Sequence, residues 1–127
     1  MNAVLSDCNG LTEIATHSAV GKFLGGASGL RDEHNGRLER VPTFRIDDLP
    51  IEDLCLIQPD VEGHENSVLK GAESTIERFE PIILIENNLN NCAEVLTGSG
   101  HGHCFTRGGL SYWARPVDRD FVKSLNA

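Results

Sequence analysis

The stretch from Leu54 to Glu86 constrains this chain more than any other. Two apolar runs, Leu54-Cys55-Leu56-Ile57 and Ile82-Ile83-Leu84-Ile85, flank a segment in which Val68, Leu69, Ala72, Ile76 and Phe79 recur at helical spacing. Short apolar runs bounded by turn residues read as strands buried on both faces. Two such strands joined by a helix form a β-α-β unit with a parallel pair. Gly71 interrupts the helical pattern at a cost of about 1 kcal/mol relative to alanine, which predicts a bend or break there. Glu80-Pro81 stops the helix and launches the second strand.

Each apolar run ends in acid. The first leads through Gln58-Pro59 into Asp60-Val61-Glu62-Gly63-His64-Glu65, and the second ends on Glu86. Ligands of open α/β sheets sit beyond the carboxyl ends of the strands, so both acidic groups fall where a site is expected. Asp60, Glu62, His64 and Glu65 suit acid–base work, and the three carboxylates also suit a hard cation, as in a carboxylate–metal hydrolase. Against this, Glu62 or Glu65 would also serve simply to complement the helix dipole, and His64 reads as an exposed turn residue.

The rest of the chain supplies the frame. Asn2–Leu5 and Leu11–His17 read as a hairpin about Asp7-Cys8-Asn9-Gly10, and residues 18–36, with five glycines, read as a long surface loop. Gly21-Lys22-Phe23-Leu24-Gly25-Gly26 lacks the spacing of a nucleotide phosphate loop. Arg40–Ile46 reads as a strand that Pro42 places at an edge. Asn87–Asn91 reads as a polar loop and Cys92–Leu96 as a short helix. Gly108-Gly109 joins two strands in a hairpin, with Tyr112 and Trp113 in the core. The tail, 117–127, reads as a weak helix or as disordered. His101-Gly102-His103-Cys104 could ligate a metal, but no second ligand pair stands at a recognisable spacing and no metal is assigned.

With 127 residues the chain reads as one domain: residues 1–50 a hairpin, loop and strand, residues 51–116 the β-α-β core and terminal hairpin, residues 117–127 a tail. A net charge of -8 argues against nucleic acid or an anionic membrane as partner. No apolar run approaches the ~20 residues that span a bilayer, and no signal peptide opens the sequence, so a cytoplasmic location is expected. Four scattered cysteines without CxxC spacing read as reduced thiols, Cys55 as a small buried hydrophobe.

The run Leu56–Ala72, with Asp60-Val61-Glu62-Gly63-His64-Glu65 and Val68-Leu69-Lys70-Gly71-Ala72, resembles the signature of FkbM-type methyltransferases. Ala3-Val4-Leu5-Ser6-Asp7 with Gly10, Ala27-Ser28-Gly29-Leu30, and Val41–Leu49 are similar to further stretches of that family, and Pro81–Glu86 to its next strand. The resemblance implies an α/β fold, a partial Rossmann-like methyltransferase sheet with a mixed, largely parallel centre, a C-terminal antiparallel hairpin and helices on its faces. It implies S-adenosylmethionine as methyl donor and a sugar-like hydroxyl as acceptor. It places Asp60, Glu62, Glu65 and Glu86 at the catalytic pocket, and Asp60, Gly63 and Ala3 beside the cofactor.

Two family features are not in these residues: the Asp-x-Gly-Ala-Asn-x-Gly loop that holds the donor, and the following strand whose acid holds its ribose. Gln58-Pro59 also stands where the family usually has a lysine and an apolar residue. The expectation is therefore the acceptor half of a site, with no turnover by this chain alone. The Leu54–Ile57 strand then has a bare edge, which implies a homo-oligomer or a partner chain there. A non-catalytic binding or assembly module on the same fold is the alternative reading.

Overall fold

Among the described residues, three of the seven strands form one sheet, in which two strands flank a proline-containing one, and the other four carry the β-α-β unit. The chain was analysed as a computed structural model that describes residues 2–18, 20–24, 37–61, 63–86 and 92–127. The strands are β1 (Val4–Leu5), β2 (Gly10–Ala15), β3 (Leu38–Phe44), β4 (Leu56–Ile57), β5 (Ile82–Glu86), β6 (Gly102–Arg107) and β7 (Leu110–Ala114). The helices are α1 (Glu65–Lys70), α2 (Glu73–Phe79), α3 (Ala93–Gly98) and α4 (Arg119–Ser124), with a 3₁₀ turn at Ile46–Asp48. The tail is thus helical over α4. Ala27–Leu30 and the rest of 25–36, the polar loop 87–91, and Glu62 lie outside the described residues.

The β-α-β unit forms as the apolar spacing predicts. β4 and β5 pair in parallel, Leu56 opposite Ile82 and Ile57 opposite Ile83, across α1 and α2. β7 then pairs antiparallel with β5, and β6 with β7, giving the order β4-β5-β7-β6. Gly108 and Gly109, both at positive φ, close the expected hairpin. The register slips between His103 and Phe105, so Cys104 bulges out of the ladder. The first strand is shorter than its apolar run, because Leu54 and Cys55 precede the ladder. Cys55 is exposed rather than buried, and all four thiols are free.

The N-terminal sheet departs from the expected hairpin. β3 lies between the other two strands, parallel to β1 and antiparallel to β2. Its Val41 and Thr43 are buried, so it is the strand that gains from neighbours on both sides. Pro42 is tolerated in this central strand because β1 opposes only Thr43 and Phe44. Pro42 has a neighbour, Leu11, on one side alone, and is locally at an edge after all. The expected loop from Ser18 begins as a tight turn, with His17 bridged to Phe23 and Gly21 at positive φ. The sheet is also less parallel than expected: the parallel pairs are β1·β3 and β4·β5, and the other three are antiparallel.

The core lies between α1–α3 and the four-stranded sheet. Ile83 and Ile85 of β5 point into it with Ile57, Val68, Leu69, Ala72, Ile76, Leu96 and Trp113. Burying each of the larger aliphatic side chains contributes about 1.5–3 kcal/mol. Trp113 belongs to this core, whereas Tyr112 is half-buried and stacks on Phe105. α4 packs on β6 and β7 with Val122 fully buried. Among the described residues no helix is long and apolar enough to cross a membrane.

The helix breaks at Gly71, as its sequence predicts: α1 ends at Lys70 and α2 begins at Glu73. Asp47, in the 3₁₀ turn, reaches across to the exposed amides at the start of α2. Its Oδ1 accepts from the Thr75 N–H and hydroxyl, both at 2.8 Å, and its Oδ2 from the Ser74 N–H at 3.3 Å. Ala72, the residue that precedes α2, has no side-chain oxygen to do this locally, so the cap is supplied from another element.

Candidate functional site

The carboxyl ends of β4 and β5 lie at one end of the sheet because the two strands run parallel. Asp60 follows β4 by three residues, and Glu86 is the last residue of β5; both are exposed. Leu110 pairs with Glu86 and with Arg107, so the β6–β7 turn reaches the same end.

The loop from Asp60 into α1 is built from its own residues. The His64 N–H donates to the Val61 carbonyl at 3.2 Å, and the Gly63 N–H donates to Glu65 Oε1 at 3.0 Å. Gly63 takes φ +92, a conformation that favours glycine, with open space where a side chain would stand. Glu65 is 5% exposed at the first position of α1. Its carboxylate complements the start of the helix and fixes the loop, which is the modest role its spacing also allowed. Glu65 also faces Cys92, whose thiol is pushed up by burial and by this nearby negative charge.

The third wall comes from β1. Ser6, 6% exposed, follows Leu5 and lies with its Oγ 3.1 Å from Nε2 of His64 and 3.1 Å from Oδ1 of Asp7. His64 is therefore half-buried and held from another strand, not the exposed turn residue its sequence context suggests. Ala3 is exposed just ahead of β1. Asp60 and Glu86 thus lie at one end of the sheet, with Gly63 and Glu65 in the loop and helix start that follow Asp60, and Ala3 just ahead of β1. Glu62 lies outside the described residues.

Ser6 and Asp47 fall within the family-like stretches 3–7 and 41–49, but the sequence assigns neither a role. Nothing in a single serine marks it, since its partner is 58 residues away. Asp47 is no more visible, since the Ser74 and Thr75 amides that it caps lie 27 and 28 residues further along the chain.

The His-Gly-His-Cys run does not gather into ligands. His101 is buried, with Nε2 2.8 Å from the Pro81 carbonyl and Nδ1 2.9 Å from Ser99 Oγ. Burial pushes its imidazole below the usual range, Arg115 adds to this, and the hydrogen bonds to Pro81 and Ser99 oppose it without overcoming it. His103 Nε2 meets Thr106 Oγ1 at 2.9 Å, and its ring stands edge-on to Trp113. Among the described residues no three His, Cys, Asp or Glu side chains are placed to hold a metal ion.

A cleft of about 760 Å³ opens elsewhere, between α1–α2 and α3. Asn66, Lys70, Glu77, Glu94 and Arg115 are among its lining residues, and none of the acidic-edge residues is. Arg115 is engaged there already, 2.6 Å from Glu80 and 2.6 Å from the Ser99 carbonyl. Volume and chemistry disagree about the site, and the acids at the carboxyl ends of the two parallel strands carry more weight than an open cleft of mixed charge.

Comparison with known proteins follows this geometry. The family model of the methyltransferase FkbM domain matches residues 3–103. No curated protein matches the chain. Among solved structures, the methyltransferase FkbM from Methylobacillus flagellatus KT is similar at 24% identity, with a TM-score of 0.42, over 59% of this chain and 23% of that one. This chain therefore spans under a quarter of that protein's length. Because the family model covers residues 3–103 of 127, well over half of the sequence, the chain belongs to the FkbM methyltransferase domain family.

Proposed function

We propose that this chain provides the acceptor side of an S-adenosylmethionine-dependent methyl-transfer site that acts on a hydroxyl of a sugar-like acceptor. The observation that carries the reading is the shared edge: Asp60 beyond β4, Glu86 at the end of β5, and Glu65 bracing the loop between them through Gly63. An alcohol must lose its proton as its oxygen is methylated, and Asp60, exposed and without a hydrogen-bond partner among the described residues, is the carboxylate placed to accept it. Glu65 holds the loop rather than the proton.

The described residues offer S-adenosylmethionine one wall and no cradle. Gly63 gives close backbone approach and Ala3 is exposed, and the 760 Å³ cleft is lined by neither. The other wall is proposed to come from polypeptide that joins along the free side of β4. That strand ends the sheet order, and Leu56 is 46% exposed. A second copy, a partner chain or a further segment could occupy this edge.

The test is a chimera in which residues 3–103 replace the matching segment of a full-length family methyltransferase, assayed for transfer of a labelled methyl group to that enzyme's acceptor. Transfer is expected to survive the exchange and to fall at least 100-fold in Asp60→Asn. A chimera that binds S-adenosylmethionine but transfers nothing, or an Asp60→Asn variant with full activity, defeats the proposal.

A further inference from the structure

The Asp7–Ser6–His64 chain fixes which nitrogen of His64 carries the proton. The Ser6 hydroxyl has one hydrogen and two polar neighbours, Asp7 Oδ1 and His64 Nε2, each at 3.1 Å. An ionised carboxylate can only accept, so the Ser6 proton points to Asp7. Were it turned toward His64, two oxygen lone pairs would face each other across the Ser6–Asp7 contact. His64 must then donate to Ser6 from Nε2–H. In the neutral ring this leaves Nδ1 as a bare lone pair, with no hydrogen-bond partner among the described residues.

This imidazole stands four residues after Asp60 and next to Gly63, whose α-carbon faces open space. Its ring is pinned from β1, and its backbone is pinned by the His64 N–H to Val61 carbonyl bond and by the Val68 N–H, which donates to the His64 carbonyl at 3.2 Å. The result is an acceptor held on a half-buried residue, in the loop that leads from exposed Asp60 into α1. Carboxylates accept hydrogen bonds as well, so the edge presents acceptors that suit a ligand rich in hydroxyl donors.

We propose that His64 is a ligand-binding residue whose Nδ1 accepts a hydrogen bond from a hydroxyl of a polyol or sugar at the acidic edge, and that Ser6 and Asp7 are the positioning residues that set its tautomer. The ligand class rests on the methyl-acceptor reading above; the tautomer does not.

The test uses the whole chain, ¹⁵N-labelled, observed by long-range ¹H–¹⁵N correlation of the imidazoles at a pH where His64 is neutral. The Nε2–H form is expected to dominate at His64. Asp7→Ala, at an exposed position that leaves the fold intact, frees the Ser6 hydroxyl to donate to Nε2, so the Nδ1–H form should become at least as abundant. Titration with methyl glycosides is then expected to shift the His64 Nδ1 resonance, with no such shift at buried His101. A dominant Nδ1–H form in the parent chain, or an unchanged ratio in Asp7→Ala, overturns the positioning. A His64 Nδ1 that ignores every glycoside overturns the ligand role even with the expected tautomer. An inactive chimera alongside a glycoside-responsive His64 would remove methyl transfer and leave this site standing.

Discussion

The α-carbon of Gly71 lies against the carbonyl of Ser6, so closely that a Cβ at position 71 would overlap the Ser6 carbonyl oxygen. The break between α1 and α2 is thus where the N-terminal sheet seats on the helical layer. Gly71 serves the joint twice, since its own carbonyl accepts from the Asp47 N–H at 2.9 Å. For Gly71→Ala, the alanine preference of helices favours the variant by about 1 kcal/mol. Overlap with backbone, which cannot rotate away, should outweigh it and leave a net loss of about 1–3 kcal/mol. Urea denaturation checks this: a midpoint equal to or above the parent's would show that β1 yields easily.

Asp47 offers a second test, this time with a pH signature. Burial alone would raise its carboxyl, but hydrogen bonds from Thr75 and Ser74, with Arg45 2.9 Å away, hold it below the ordinary value of 3.8. A carboxyl lowered in the folded state adds stability that is complete above the unfolded value and is lost as pH falls through the folded one. Asp47→Ala should cost about 1–2 kcal/mol near neutral pH. The difference between parent and variant should shrink in acid below pH ~3.8. A gap that stays constant down the acid limb would mean that the cap is not the source of the loss.

His101 acts in a higher window. Its folded value is lowered by burial, so the unfolded chain takes up the proton first. The stability it confers is present above the ordinary value of 6.5 and declines as pH falls from there toward the lowered one. His101→Phe should flatten the dependence of stability on pH below 6.5. It should also cost about 1–3 kcal/mol at pH 8, because the Pro81 carbonyl loses its donor. An unaltered pH slope in thermal melts would refute the assignment.

Glu65 separates bracing from acid–base chemistry. Glu65→Gln keeps a carbonyl oxygen to accept from the Gly63 N–H, so loop and fold should persist with a loss under ~1 kcal/mol. Glu65→Ala removes the brace and should raise amide exchange at Gly63 and His64 by tenfold or more. If the two variants exchange alike, Glu65 does not hold the loop.

How much of this was readable beforehand follows the range of the interactions. The β-α-β unit, the Gly71 break and the Gly108-Gly109 hairpin are local signals, written in periodicity and turn chemistry within a few residues. The acidic edge was legible for the same reason, since parallel strands bring their carboxyl ends together wherever they lie in the chain. What failed was long-range. Whether β1 pairs with β2 or with β3 depends on how two sheets share one helix break, and no window of sequence contains Ser6, Asp47 and Gly71 together. His64 was misjudged by the same distance, because its partner, Ser6, follows β1, 58 residues back along the chain.

The brevity of β4 has a consequence for how anything could recognise it. A strand of two residues exposes so few main-chain groups that a ladder along it supplies only a couple of bonds, each worth about 0.5–1.5 kcal/mol net. That is too little to choose a partner or even a register, since a slip of one residue would lose almost nothing along the backbone. Whatever docks on this side must therefore be read through side chains, chiefly the exposed Leu56 and the turns that flank it. A partner of the kind proposed above would recognise this edge by shape rather than by hydrogen bonds, and a single change at Leu56 should weaken its docking.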